Sequence, residues 1–154
     1  MAGRMKRKTG SGRQKWVERE FETWLVEESA LPDGESLILL ARQRALRRVV
    51  DLLFLDHRGG LVLVEVKNET SSRTVIGQAL EYLSQYEGAQ LEAVVDDLQL
   101  DRGQGDALAK AIADAGITEI TATRRIFIAA PSFDFATQAS ASLLSDRLAA
   151  ANLY

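Results

Sequence analysis

Two apolar runs joined by a four-residue turn, within residues 47–67, constrain this chain more than any other feature in it. The first run is Val49-Val50-Asp51-Leu52-Leu53-Phe54-Leu55-Asp56, the turn is His57-Arg58-Gly59-Gly60, and the second run is Leu61-Val62-Leu63-Val64-Glu65-Val66-Lys67. Short β-branched and leucine-rich runs on either side of a glycine-containing turn predict a β-hairpin. Side chains of a strand alternate between its faces. Glu65 and Lys67 therefore share a face with Leu61 and Leu63, and on the facing strand Asp51 falls in with Val49, Leu53 and Leu55. Three charged groups end two otherwise oily strands. An unpaired buried charge is costly, so such a cluster is expected to pair or to bind a metal.

A Glu-x-Lys at a strand end is by itself a common surface ion pair. An Asp on the partner strand, fourteen residues before the Glu, makes the pattern far more specific. The arrangement resembles the PD-(D/E)xK nuclease superfamily, whose core is an Asp, then a Glu or Asp, then a Lys two residues later. Val50 stands where that motif usually has Pro, which leaves the acidic positions intact. The resemblance implies an α/β fold with a restriction-endonuclease-like core, a mixed central β-sheet flanked by helices. It also implies that Asp51, Glu65 and the Val66 carbonyl hold a divalent metal, with Lys67 orienting or deprotonating the attacking water or neutralising developing charge.

Composition agrees on the metal class. The chain has no cysteine and one histidine, His57, in the turn, where it is expected to be exposed. Disulfide frameworks, thiolate zinc sites and histidine-rich sites are thereby excluded. A metal here must be held by carboxylates, which favours Mg²⁺ or Mn²⁺. At 154 residues and 46% apolar, the chain suits one domain with an ample core. No apolar run approaches a membrane span and no signal-peptide segment is evident, so a cytoplasmic location without membrane contact is the default.

The net charge of −3 hides an asymmetry. Six of the 19 basic residues (Arg4, Lys6, Arg7, Lys8, Arg13, Lys15) lie in residues 1–15 with no acid among them. The remaining 13 face all 22 acids, a net of −9. Residues 1–15 thus read as a basic, flexible arm, and residues 16–154 as the folded domain. The arm is equally suited to a salt-dependent phosphate contact and to a solubilising role.

From Trp16 the pattern is helical, with Val17, Phe21, Trp24, Leu25 and Glu28 on one side, ending before Pro32-Asp33-Gly34. Nucleases of the superfamily often place a Glu from this first helix beside the metal. Phe21-Glu22 ahead of Trp24-Leu25 is similar to that placement, making Glu22 the candidate and Glu18, one turn earlier, its alternative. Residues 36–41 read as a strand. Arg42, Arg44, Arg47 and Arg48 follow, and they either line an approach for a phosphate backbone or pair with acids on the surface. Arg42, Arg44 and Arg48 are the DNA-contact candidates.

A polar loop at residues 68–72 precedes a helix over residues 73–86, with Val75, Ala79, Tyr82 and Tyr86 on its buried stripe. Gln78 and Tyr82 face the same way, four residues apart. Directly after Glu65-Val66-Lys67 this pair resembles the RecB-like branch, where it lies beside the active site and DNA. Residues 96–106 are acidic, lack the ligand spacing of an EF-hand, and read as a loop. A short helix over 107–115 ends at Gly116. Strand material over 117–130 is interrupted near Arg124-Arg125, and an amphipathic helix spans 134–152.

Three passages, residues 20–25, 50–67 and 125–134, look like the C-terminal nuclease domain of NucS-type endonucleases, and together they span most of residues 17–150. The resemblance implies a Mg²⁺- or Mn²⁺-dependent endonuclease acting on duplex, single-stranded or branched DNA, alone, as a homodimer or in a larger nuclease complex. A Holliday-junction resolvase shares the basic arm, the early helix Glu and the Asp…Glu-x-Lys core, and is the first alternative. A non-catalytic nucleic-acid-binding module of the same fold is the second. In a third reading Glu65 and Lys67 merely pair with Arg48 and Asp51 on a sheet surface.

Overall fold

A computed structural model of the chain describes residues 18–28, 34–46, 48–67, 74–130 and 132–147. The elements run α1 (Glu18–Glu28), β1 (Leu37–Leu46), β2 (Arg48–Asp56), β3 (Leu61–Val66), α2 (Thr74–Ser84), α3 (Leu91–Asp97), α4 (Arg102–Asp114), β4 (Arg124–Ala129) and α5 (Phe135–Arg147). Among the described residues, four strands form one sheet in the order β1-β2-β3-β4. The first three are antiparallel neighbours and β4 runs parallel to β3. This is the mixed α/β sheet flanked by helices that the sequence predicts. The basic arm at residues 1–15 lies outside the described residues.

The hairpin forms as read, with β2 and β3 paired from Leu52 opposite Val64 to Leu55 opposite Leu61. Gly59 sits at φ 81° in its turn, where a Cβ would also meet the Glu119 carbonyl oxygen, so glycine is required. Strand alternation sorts the two runs into two cores. Leu53, Leu55, Leu61 and Leu63 pack with residues of α2, α3 and α4, including Ala79, Leu83, Val94, Leu108 and Ile112. Leu52, Phe54, Val62, Val64 and Val66 pack on the other face with Leu25 of α1, joined by Phe21 and Trp24. Every residue of β3 is buried, as expected for a strand covered on both faces. Burying each of these Leu, Val and Phe side chains is worth about 1.5–3 kcal/mol, which makes the hairpin the organising element of both layers.

The arginine-rich segment after residue 41 continues β1 instead of leaving the sheet: Arg42 lies opposite Leu52 and Arg44 opposite Val50. The register shifts between Leu39 and Ala41. At this bulge Leu40 and Ala41, adjacent in sequence, both join the core on the α2–α4 face. A bulge inserts one residue and resets the alternation beyond it. Arg42 is thereby directed to the α1 face, where a regular strand would have turned it the other way.

The acidic stretch read as a loop is largely helical. Asp96 and Asp97 end α3, and α4 begins at Arg102, before the predicted start at 107. Asp101 is the reason: its side chain accepts the Gln104 N–H at 2.8 Å and caps the helix. The helix closes as expected at Gly116 (φ 69°), with Gly116 N–H to Ala113 O and Ile117 N–H to Ile112 O. Arg124 and Arg125 do not interrupt strand material; they begin β4, and residues 117–123 are irregular. The described part of α5 turns Phe135 and Leu143 outward, while Thr137, Ala141 and Leu144 line an apolar groove of about 190 Å³ against α2 and β4.

Candidate functional site

The two ends of the β2–β3 hairpin are chemically different, and the end away from the turn carries the motif. Continuing the pairing of Leu52 with Val64 by one residue sets Asp51 opposite Glu65. There a side chain takes over from the backbone ladder: the Val66 N–H donates to Asp51 Oδ2 at 2.8 Å. On its other side the strand end is held by the Lys67 N–H donating to Ala129 O, also at 2.8 Å. The segment bearing Glu65 and Lys67 is thus pinned between β2 and β4. By alternation Asp51 and Glu65 lie on the face of Leu53, Leu61 and Leu63, toward α2. The Glu65 side chain is 5% exposed and pairs through Oε1 with Lys67 Nζ, whose side chain is 35% exposed. A carboxylate so far out of water requires a compensating cation, and the ammonium supplies one.

Glu22 has different company. Its side chain is fully buried on α1, in the layer of Leu25, Leu52 and Phe54. Arg42 Nε approaches Glu22 Oε2 at 3.5 Å, and Arg42 Nη2 donates to Thr23 Oγ1 at 2.8 Å. The Thr23 hydroxyl in turn donates to the Arg19 carbonyl. The bulge in β1 is what brings Arg42 to this helix. Among the described residues no three acidic or histidine side chains gather as a metal-ligand cluster, so Glu22 does not join Asp51 and Glu65 in one.

On α2, Gln78 is exposed, whereas Tyr82 is half-buried and packs against the core one turn later. The side chains of Glu18, Arg44 and Arg48, and the polar loop at 68–72, lie outside the described residues.

The turn end carries a network that sequence reasoning did not anticipate. Arg125 is 9% exposed. Its Nη2 donates to Asp56 Oδ2 and to Glu35 Oε1, each at 2.8 Å, and its Nη1 pairs with Glu35 Oε2. Asp56 Oδ1 accepts the N–H groups of Arg58 and Gly60 at 2.8 Å. Exposed His57 approaches Glu35 with Nδ1 at 3.2 Å. Hydrogen bonding to Glu35, reinforced by the charges of Glu35 and Asp56, holds the Arg125 guanidinium above its ordinary pKa despite burial. Arg124 is shifted the other way by burial; its guanidinium donates to the Thr121, Thr123 and Tyr86 carbonyls. The available signal was an arginine beside an apolar strand, Arg125 before Ile126-Phe127-Ile128, with Asp56 closing the hairpin run.

Asp51 and Glu65, with main-chain carbonyls beside them, are an all-oxygen donor set. Mg²⁺ is commonly held by one or two carboxylates, with water and substrate oxygens completing its shell, so the residues present fit such an ion. No family model matches the chain, and no curated protein does. Among solved structures, the chain is similar to one described as the crystal structure of a repair endonuclease from Pyrococcus abyssi, with 19% identity and a TM-score of 0.47. The match covers 88% of this chain and 46% of that one, so the chain spans less than half the length of that structure.

Proposed function

We propose that the chain is a metal-dependent phosphodiester hydrolase acting on DNA, on a restriction-endonuclease-like core. The observation that carries this reading is the open end of the hairpin. The register sets Asp51 beside Glu65, Asp51 is fixed by the Val66 N–H, and Lys67 sits on Glu65. Asp51, Glu65 and the Val66 carbonyl would hold Mg²⁺ or Mn²⁺. When bound, such an ion acidifies a water and stabilises charge on the phosphate. Lys67, about a third exposed on a flexible stem, is suited to meet the phosphodiester and to orient the water or offset developing charge. Exposed Gln78 is available to a DNA backbone, and Tyr82 braces α2 behind it. Glu22 in this reading is the counter-charge of Arg42.

The test is cleavage of single-stranded, duplex, mismatched and four-way-junction DNA with Mg²⁺ or Mn²⁺. Asp51→Ala and Lys67→Ala are each expected to lower cleavage by on the order of 10²–10³-fold or more while the fold is kept, as judged by circular dichroism. Undiminished cleavage in either variant removes the assignment, and no cleavage by the wild-type chain with either ion favours a binding module.

A further inference from the structure

The Glu65–Lys67 pair has a consequence for metal loading, one that rests on the hydrolase reading above. Glu65 is almost wholly removed from water, and its Oε1 is engaged by the Lys67 ammonium. Asp51 commits Oδ2 to the Val66 N–H. A divalent ion held by these two carboxylates would share the one charge of Glu65 with the ammonium that already engages Oε1. A carboxylate can accept two cations, but their mutual repulsion is strong where water screens poorly. Lys67 is also the more exposed partner, on a stem with four rotatable bonds that let its ammonium change position.

We propose that Lys67 is a resident counter-ion that occupies Glu65 in the metal-free chain and is displaced when the divalent ion binds. Lys67 then lowers metal affinity, and binding of the ion frees the ammonium for the substrate phosphate. Loading of the metal and release of the lysine are one event, not two. The charge count agrees: Asp51, Glu65 and Lys67 sum to −1, a divalent ion makes the site +1, and one phosphodiester returns it to neutrality.

The experiment is Mn²⁺ titration followed by thermal melting, without DNA, on the full chain and on Lys67→Met, Lys67→Gln and Glu65→Gln. Without metal, Lys67→Met is expected to melt below wild type, because Glu65 loses its counter-charge. Mn²⁺ is then expected to raise its melting temperature more than that of wild type, with a midpoint at roughly tenfold lower Mn²⁺. Lys67→Gln, which keeps a hydrogen bond to Glu65 without the charge, gives the same ordering should the Met variant fail to fold. Glu65→Gln is expected to show no Mn²⁺ shift. Equal midpoints in wild type and both Lys67 variants, or a weaker midpoint in the variants, overturn the proposal while leaving the hydrolase reading intact. An Mn²⁺ shift in none of the proteins overturns the metal reading itself, and the proposal with it.

Discussion

The two ends of the β2–β3 hairpin each gather acids around a cation, yet they are built to opposite specifications. At the turn end, Arg125 is enclosed by Asp56 and Glu35, and Asp56 also holds two backbone N–H groups of the turn. Its guanidinium fork uses geometry as well as charge, and it ties β4, the turn and the segment before β1 into one unit. At the open end, Asp51 accepts a backbone N–H, and Glu65 pairs with a lysine that is itself a third exposed. A planar, enclosed guanidinium makes a lock. A flexible ammonium makes a contact that can be exchanged. Burial of charge alone therefore does not distinguish the two ends; the shape and exposure of the cation do.

The sharpest way to break this comparison is to remove one charged group from each end. Asp51→Ala takes away the open-end carboxylate and is expected to abolish metal-dependent cleavage while shifting the melting temperature only slightly. Arg125→Met at the turn end leaves Asp56 and Glu35 facing one another without their cation. Breaking a buried pair in this way costs about 3–5 kcal/mol, a large part of a domain's total stability, and urea unfolding will measure it. The fraction that remains folded is expected to cleave at the wild-type rate. The sign of the pH dependence follows from the raised pKa of Arg125. Its contribution is fully present below the ordinary arginine value and is lost only as pH rises through the still higher folded value. The stability difference between wild type and Arg125→Met is thus expected to be the same at about pH 7 and about pH 9.

Much of this contrast was legible in the sequence, but unevenly. The hairpin, its alternation and the meeting of Asp51, Glu65 and Lys67 at a strand end follow from a period of two residues across a short turn, a local relation. The turn-end network does not: Glu35 and Arg125 are ninety residues apart, and the pairing of β1 with β2 and of β4 with β3 unites them. The direction of Arg42 was hidden for a different reason. A one-residue bulge within Leu39–Ala41 reverses the direction of Arg42, and no residue type there announces it. The early start of α4, by contrast, was available in Asp101 and Gln104, an acid three residues before an amide in the capping arrangement. Two glycines, Gly103 and Gly105, masked it, because each lowers helix propensity by about 1 kcal/mol.

A third charged pair, Glu22 with Arg42, lies between the two extremes and sharpens the comparison. Its acid is fully buried, but its arginine keeps 31% of its side chain exposed. Glu22→Gln preserves shape while removing the charge. Water reaches Arg42, so the expected loss is about 1–2 kcal/mol, below that of the enclosed turn-end pair. Mn²⁺-induced stabilisation decides what the acid does. An unchanged response assigns Glu22 to Arg42, whereas a lost response returns it to the metal, as the superfamily resemblance implies.

The smallest effect belongs to a charge that touches neither end. Asp101 caps α4 through the Gln104 N–H, and α4 contributes Leu108 and Ile112 to the core on the face where Leu53 and Leu63 lie. Asp101→Ala removes that acceptor and leaves an N–H of the first turn to water, a loss of about 1 kcal/mol. Asp101→Asn retains an acceptor and is expected to recover most of it. The site at the open end sits on the strands, not on this helix, so the Mn²⁺ midpoint should be the same in both variants. A change in that midpoint with the cap would show that the covering layer, and not the hairpin alone, sets the geometry of Asp51 and Glu65. In that case the exchangeable end of the hairpin would depend on the packing of α4 as well as on its own three residues.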